Sequence, residues 1–177
     1  VLLLDLGSGR GELVKPVVSE GKVICLDIDP AVEPDIVGDV QWVPLADGSV
    51  DVAFASHVLE HIAWPRAVTV LKEWVRVLVP GGQLHIVVPD MEWAAERIIG
   101  WDRSMLLQSI MFGSQGNEFQ VHKTGYTLGL LQDLMGQAGL RVGQWERRER
   151  GLALTMSDGY EERGVMGEIY AIGRKGV

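Results

Sequence analysis

Short apolar runs ending in glycine or aspartate alternate, through the first half of the chain, with stretches of helical spacing. Val1-Leu2-Leu3-Leu4 runs into Asp5-Leu6-Gly7-Ser8-Gly9-Arg10-Gly11, the pattern of a buried strand closed by a tight turn. Lys22–Asp27, Val50–Ala55 and Gln83–Val88 repeat it. A short helical stretch, Glu12–Glu20, lies between the first two runs and is interrupted by Pro16. A better helix is predicted over Pro65–Leu78. Pro65 suits its first turn, Val68, Leu71, Val75 and Leu78 share a face, and Pro80-Gly81-Gly82 stops it. Strands alternating with helices predict an α/β fold built on a doubly wound parallel sheet. One crossover is short: 11 residues separate Asp27 from Asp39, among them Pro30 and Pro34. An extended link or a single turn is expected there, with Asp39 ending the third strand.

The second half reads differently. Met91–Phe112 has a helical pattern rich in large apolar residues, and a polar loop, Gly113–Gly125, follows it. A clear amphipathic helix is predicted over Thr127–Ala138, capped by Gly139. Leu140–Trp145 and Glu168–Ile172 read as strands, separated by a loop that carries Arg147, Arg148, Glu149 and Arg150. No repeat or linker divides the chain, so residues 1–177 are expected to form one domain.

Composition narrows the function. At 47% hydrophobic and 23% charged, the 177 residues are globular in type. No apolar run approaches the ~20 residues of a membrane span, and the single cysteine, Cys25, excludes an internal disulfide. A soluble, cytoplasmic protein is expected. The net charge of −8 sits wholly in residues 1–61, which hold 11 acids against three bases. The rest of the chain holds 13 of each, with no basic stripe. A phosphate-tracking nucleic-acid surface is therefore not expected. A small cationic ligand near the N-terminal third suits this balance, and so does an acidic face kept for solubility.

The candidate chemistry gathers around the glycines. Gly7, Gly9 and Gly11 directly after a strand let the backbone approach a ligand. Asp5, just before them, disfavours a pyrophosphate and welcomes a cation. Asp27 stands 20 residues after Gly7, where a carboxylate reaches ribose hydroxyls in a doubly wound sheet, and Asp39 lies one step further along that edge. A ribose, an adenine amine and a positive centre together fit this set. S-adenosylmethionine has all three, and NAD fits worse.

These residues resemble a known family. Leu2-Leu3-Leu4-Asp5-Leu6-Gly7-Ser8-Gly9-Arg10-Gly11 looks like the first motif of class I S-adenosylmethionine-dependent methyltransferases, of the type 11-like kind. Val23–Pro30 is similar to their acidic second motif, and Gly38–Val52 to the segment carrying the adenine contact. Ser56–Ile62 resembles the stretch after their fourth strand, and Val77–Leu84 the turn into the fifth. The resemblance implies a Rossmann-like sheet, mostly parallel with an antiparallel last strand. It also implies a cofactor-binding half over 1–88, an acceptor-side half over 89–177, and S-adenosyl-L-methionine as cofactor. The implied cofactor contacts are Asp5, Gly7, Ser8, Gly9, Gly11, Asp27, Ile28, Asp39, Val40 and Ser56. Ser56 is also a good N-cap for a short helix over His57–Ile62.

The second half is similar to methyltransferases associated with sugar and cell-envelope biosynthesis, which points to a small-molecule or glycan acceptor. His122 and Tyr126 are the acceptor-side candidates, and His57 and His122 the candidate bases, since an ordinary imidazole accepts protons near neutrality. Nothing after the fourth strand matches the Asn/Asp-Pro-Pro-aromatic motif of enzymes that methylate base amines. His57 and His61, four apart, can ligate a metal, but no third ligand is evident and no metal is expected. In this class helices ahead of the first strand usually cover the site, and none precedes Val1. A lid is thus expected to be truncated, supplied by another chain, or replaced by Met91–Phe112, which reads equally well as a core-covering helix pair. The short link after Asp29 leaves one sheet face thinly covered, and a homodimer is one way to cover it. Two other classes compete: a non-catalytic module of this fold that binds a partner protein, and a nucleotide-dependent oxidoreductase.

Overall fold

Strands β1 (Leu2–Leu6) and β2 (Lys22–Asp27) pair in parallel, Leu2 opposite Lys22 through Leu6 opposite Leu26. In this computed structural model, residues 1–9, 21–100, 102, 104–155 and 161–177 are described, with backbone alone at 152–155 and 161–165. The helical stretch expected over residues 12–20 lies outside them, as does Gly11. The remaining strands are β3 (Ile36–Val37), β4 (Val50–Ser56), β5 (Leu78–Pro89), β6 (Leu140–Thr155) and β7 (Glu161–Lys175). They form one seven-stranded sheet in the order β3-β2-β1-β4-β5-β7-β6. The first five run parallel, and β7 runs against both its neighbours. This is the expected Rossmann-like sheet.

Side-chain alternation explains how the sheet is buried. Leu4 and Leu6 of β1 face the main core, whereas Leu3 faces the opposite side with Phe54 and Val87. Helix α1 (Ala67–Val77) covers the first face through Val70, Leu71 and Trp74, and α4 (Leu128–Gln137) adds Leu131 and Met135. Thr127 caps α4 through Leu130 N–H, and Gly139 follows its end at φ +92°. Among the described residues no helix is long and apolar enough to cross a membrane.

Several boundaries differ from the sequence reading. Trp64–Arg66 forms a 3-10 turn ahead of α1, and the chain passes from Val77 straight into β5. Pro80-Gly81-Gly82 therefore lies inside the strand, where the register with β4 shifts and Gly81 takes φ +79°. The long helical pattern divides into α2 (Met91–Ile99) and α3 (Met105–Phe112), each with its own cap, Asp90 and Ser104. Ser56 is no helix cap: it closes β4, and only a 3-10 turn over Leu59–His61 follows. β3 is two residues long and ends before Asp39, after a single 3-10 turn at Pro30–Val32 in the short crossover. Arg147–Arg150, expected in a loop, stand in β6, because β6 and β7 pair over nearly their whole length.

One helix fixes the loop after β3. Trp74, wholly buried, donates its indole N–H to Val40 O at 2.9 Å. Glu73 accepts from Val43 N–H, and Arg76 donates to Val43 O and Leu45 O. Trp74→Phe strands the buried Val40 carbonyl and is expected to cost about 1–3 kcal/mol, read as a lower urea midpoint with unchanged slope.

Candidate active site

Strand order reverses between β1 and β4, because β2 and β3 step outward from β1 and the chain then returns to its other side. Ligands bind beyond the strand ends at such a reversal. Gly7 follows β1 there and His57 follows β4. A cavity of about 280 Å³ opens at this place, lined by Gly7, Asp27, Ile28, Asp39, Val40, Gln41, His57, Val58, His61, Ile62, Phe119 and Lys123.

The two described glycines have different reasons to be glycine. Gly7 sits at φ +63°, and a β-carbon on it would lie 2.5 Å from Val58 Cγ2. Gly9 sits at φ +50° with nothing among the described residues within 4 Å of its would-be β-carbon. The first lets β1 and the segment after β4 touch, and the second takes a left-handed turn that favours glycine. Asp27 ties the turn to β2: its Oδ2 accepts from Gly9 N–H at 2.7 Å and its Oδ1 from Asp29 N–H at 2.9 Å. Ser8 donates its hydroxyl back to Gly9 O. Asp39 accepts from Gln41 N–H and from the Gln41 side-chain amide.

Asp5 is buried, and its Oδ2 has no hydrogen-bond partner among the described residues. Burial, and then the neighbouring Asp27 charge, push its carboxyl up to about 7. Of the residues expected around the cofactor, Gly7, Asp27, Ile28, Asp39 and Val40 line the cavity together. Asp5, Ser8, Gly9 and Ser56 are not part of that lining.

His57 takes a left-handed backbone conformation, φ +56°, which turns its ring between two buried glutamates. Nδ1 lies 3.1 Å from Glu60 Oε1 and Nε2 lies 2.8 Å from Glu168 Oε1. Burial lowers its pKa, but the hydrogen bonds and charges of Glu168 and Glu60 outweigh that and raise it to about 9. Both nitrogens therefore carry protons at neutral pH, a state that donates and does not accept. The base role expected of His57 does not suit these surroundings. Burial pushes Glu168 up, while His57, Arg150 and Arg148 hold it below the usual carboxylate range. Arg150 Nε and Arg148 Nε lie 2.8 and 3.1 Å from its two oxygens.

A second cavity of about 330 Å³ adjoins the first and shares His57 and His61 with it. Ser109, Ile110, Gly113, Ser114, Gln120, His122, Arg150 and Met166 complete its walls. His122 thus lies on the wall of this second cavity. Burial comes first among the causes that lower its pKa. Tyr126 does not reach either cavity. It is fully buried in the core, its hydroxyl donates to Leu59 O at 3.2 Å, and burial raises its pKa. An aromatic ring beside an apolar helix start is as good a core residue as a contact residue, and here packing claimed it. Phe119, Lys123 and Gln41 were not anticipated, because chain folding and not local pattern brings residues 119–123 over the strand ends.

A family model described as a methyltransferase domain matches residues 4–86, from β1 into β5. The match and the fold are together consistent with a class I methyltransferase domain, with S-adenosylmethionine as its cofactor. Among curated relatives, it is 39% identical to an uncharacterized 37.1 kDa protein in transposon Tn4556 of Streptomyces fradiae, over 50% of this chain and 30% of that one. It is 29% identical to the human protein named "Probable tRNA methyltransferase 9B", over 71% of this chain and 30% of that one. The chain thus spans less than a third of these relatives' length. A solved structure of similar fold is the 1,6-didemethyltoxoflavin-N1-methyltransferase of Burkholderia thailandensis, with 1,6-didemethyltoxoflavin and S-adenosylhomocysteine bound. It shares 17% identity and a TM-score of 0.61 over 99% of this chain and 71% of that one.

Asp5 ionises near pH 4 in an unfolded chain and only near 7 in the fold. Stability therefore falls as pH rises through that window and stays lower above it. Asp5→Asn is expected to raise the melting temperature at pH 8 by about 5 °C and to leave it nearly unchanged at pH 4. Gly7→Ala is expected to cost about 1–3 kcal/mol from backbone strain and the Val58 contact. Adding Val58→Ala should return the contact part, as chemical denaturation of the two variants will measure.

Proposed function

We propose that this chain transfers the methyl group of S-adenosylmethionine to a small-molecule or glycan-type acceptor. The observation that carries this reading is the cavity at the sheet reversal, where a glycine turn meets Asp27 and Asp39. Asp27 is suited to accept from ribose hydroxyls and Asp39 from the adenine amine, with Ile28 and Val40 giving apolar walls to the adenine. Among the described residues nothing crowds Gly9 and nothing pairs Asp5 Oδ2, which suits the amino-acid end with its ammonium. Bound there, the cofactor supplies an electrophilic methyl group on a sulfonium.

The chain's own contribution is to position the acceptor in line and to exclude water. The second cavity is the acceptor's place in this reading, with His122 on its wall and residues 89–177 as the acceptor-side half. The polar lining of Ser109, Ser114, Gln120 and Arg150 suits a hydroxylated or anionic molecule. The modest size of both cavities favours a small acceptor group over a folded nucleic acid, though the human relative's name refers to tRNA.

Calorimetric titration with S-adenosylhomocysteine, with NAD as control, tests the cofactor. Micromolar binding of the former alone is expected. Asp27→Ala should weaken it by about 1–3 kcal/mol, the loss of a charged hydrogen-bond partner. No binding by the folded wild type would overturn the reading in favour of a non-catalytic module.

A further inference from the structure

We propose that Glu60, His61 and His122 bind one divalent transition-metal ion in the wall between the two cavities. One potential ligand atom from each of the three lies within 4.8 Å of the others. The two rings meet edge to face with centroids 4.9 Å apart. His61 lines both cavities and His122 the second.

The hydrogen bonding prepares these groups as ligands. His61 Nδ1 lies 3.1 Å from Val121 O, and His122 Nδ1 lies 2.9 Å from Ile110 O. A carbonyl oxygen only accepts, so each Nδ1 carries the proton and each Nε2 keeps its lone pair. A backbone carbonyl behind the ring is the usual support of a metal-bound histidine. Glu60 gives one oxygen to His57, and its Oε2 is buried with no hydrogen-bond partner among the described residues, in a side chain only 1% exposed. An unpaired buried carboxylate oxygen beside two imidazoles whose N–H groups are already committed calls for a cation.

The backbone holds the three in place. Lys123 N–H and Thr124 N–H both donate to Glu60 O, at 2.7 and 3.1 Å, and the Thr124 hydroxyl donates to Ile62 O at 2.7 Å. His122 is thereby locked beside the segment that carries Glu60 and His61. Ligands around a tetrahedral ion with bonds of about 2.1 Å stand roughly 3.4 Å apart, so small side-chain rotations complete the site. Two imidazoles and one carboxylate suit zinc, cobalt or iron over magnesium or calcium. Three protein ligands leave at least one position open, for water or an oxygen of a molecule in the second cavity. That last role rests on the reading of the chain as a methyltransferase, whereas the binding of the ion does not.

Titration of the purified, cofactor-free chain with Co²⁺, followed by visible d–d absorption, tests the site apart from any activity. One equivalent is expected, displaced by Zn²⁺. His122→Ala and Glu60→Gln should each weaken binding by more than the ~10–100-fold that loss of an outer supporting partner costs. Cys25→Ser should change nothing. Thermal melts identify any variant that has lost its fold, and either folded variant alone carries the test. A folded wild type that takes up no Co²⁺ would overturn the proposal. So would binding that persists undiminished in a folded variant lacking one of the ligands.

Discussion

Two buried carboxylates facing one another need a cation between them, and the edge of this sheet is organised around that need. Glu60 and Glu168 are each 1% exposed, and the ring of His57 stands between them. Removing the imidazolium would leave two negative charges in a low-dielectric interior, which is far more costly than any gain from the pair itself. Arg148 and Arg150 reach Glu168 from β6 and complete the balance. The network joins the segment after β4 to the β6–β7 pair. It thereby fixes the half of the molecule that carries the glycine turn against the half that carries the second cavity.

Backbone bonds act beside these charges. The loop at 121–124 is held by the carbonyls of Glu60 and Ile62 and by His61 Nδ1, which meets Val121 O, while the loop after β3 is held by Trp74, Glu73 and Arg76 of α1. Both walls of the first cavity are thus set by elements packed on the same core. The glycine turn meets them through Gly7 against Val58 and through Asp27 against Gly9.

Much of the first half was legible because strand ends there are marked by local chemistry. Gly7 and Asp27 mark them, and with Asp39, two residues beyond the end of β3, they come together at one cavity, while β2 ends at Asp27 as its apolar run does. The antiparallel last strand came with the family resemblance and not with any periodicity. The second half was less legible. Arg147–Arg150 read as loop because consecutive charges on a strand look like solvated chain, and their partners, Asp90 and Glu168, are distant in sequence. Tyr126 was misassigned for the reverse reason, since a buried hydroxyl bonded to Leu59 O leaves no trace in local pattern. The state of His57 was hidden as well. Glu60 stood three residues away, but Glu168 is brought to the ring only by the pairing of β5 with β7.

The direct passage of α1 into β5 has a consequence for how the protein can change over generations. Val77 is the last residue of the helix and Leu78 the first of the strand. An inserted or deleted residue at that junction has no loop to absorb it. It would rotate Trp74 away from Val40, or slide β5 by one position and invert its buried and exposed faces. Lineages descended from this chain are expected to keep the length of this stretch constant while its surface residues drift. A gap placed there in an alignment would then mark an error of alignment before it marked an event of evolution.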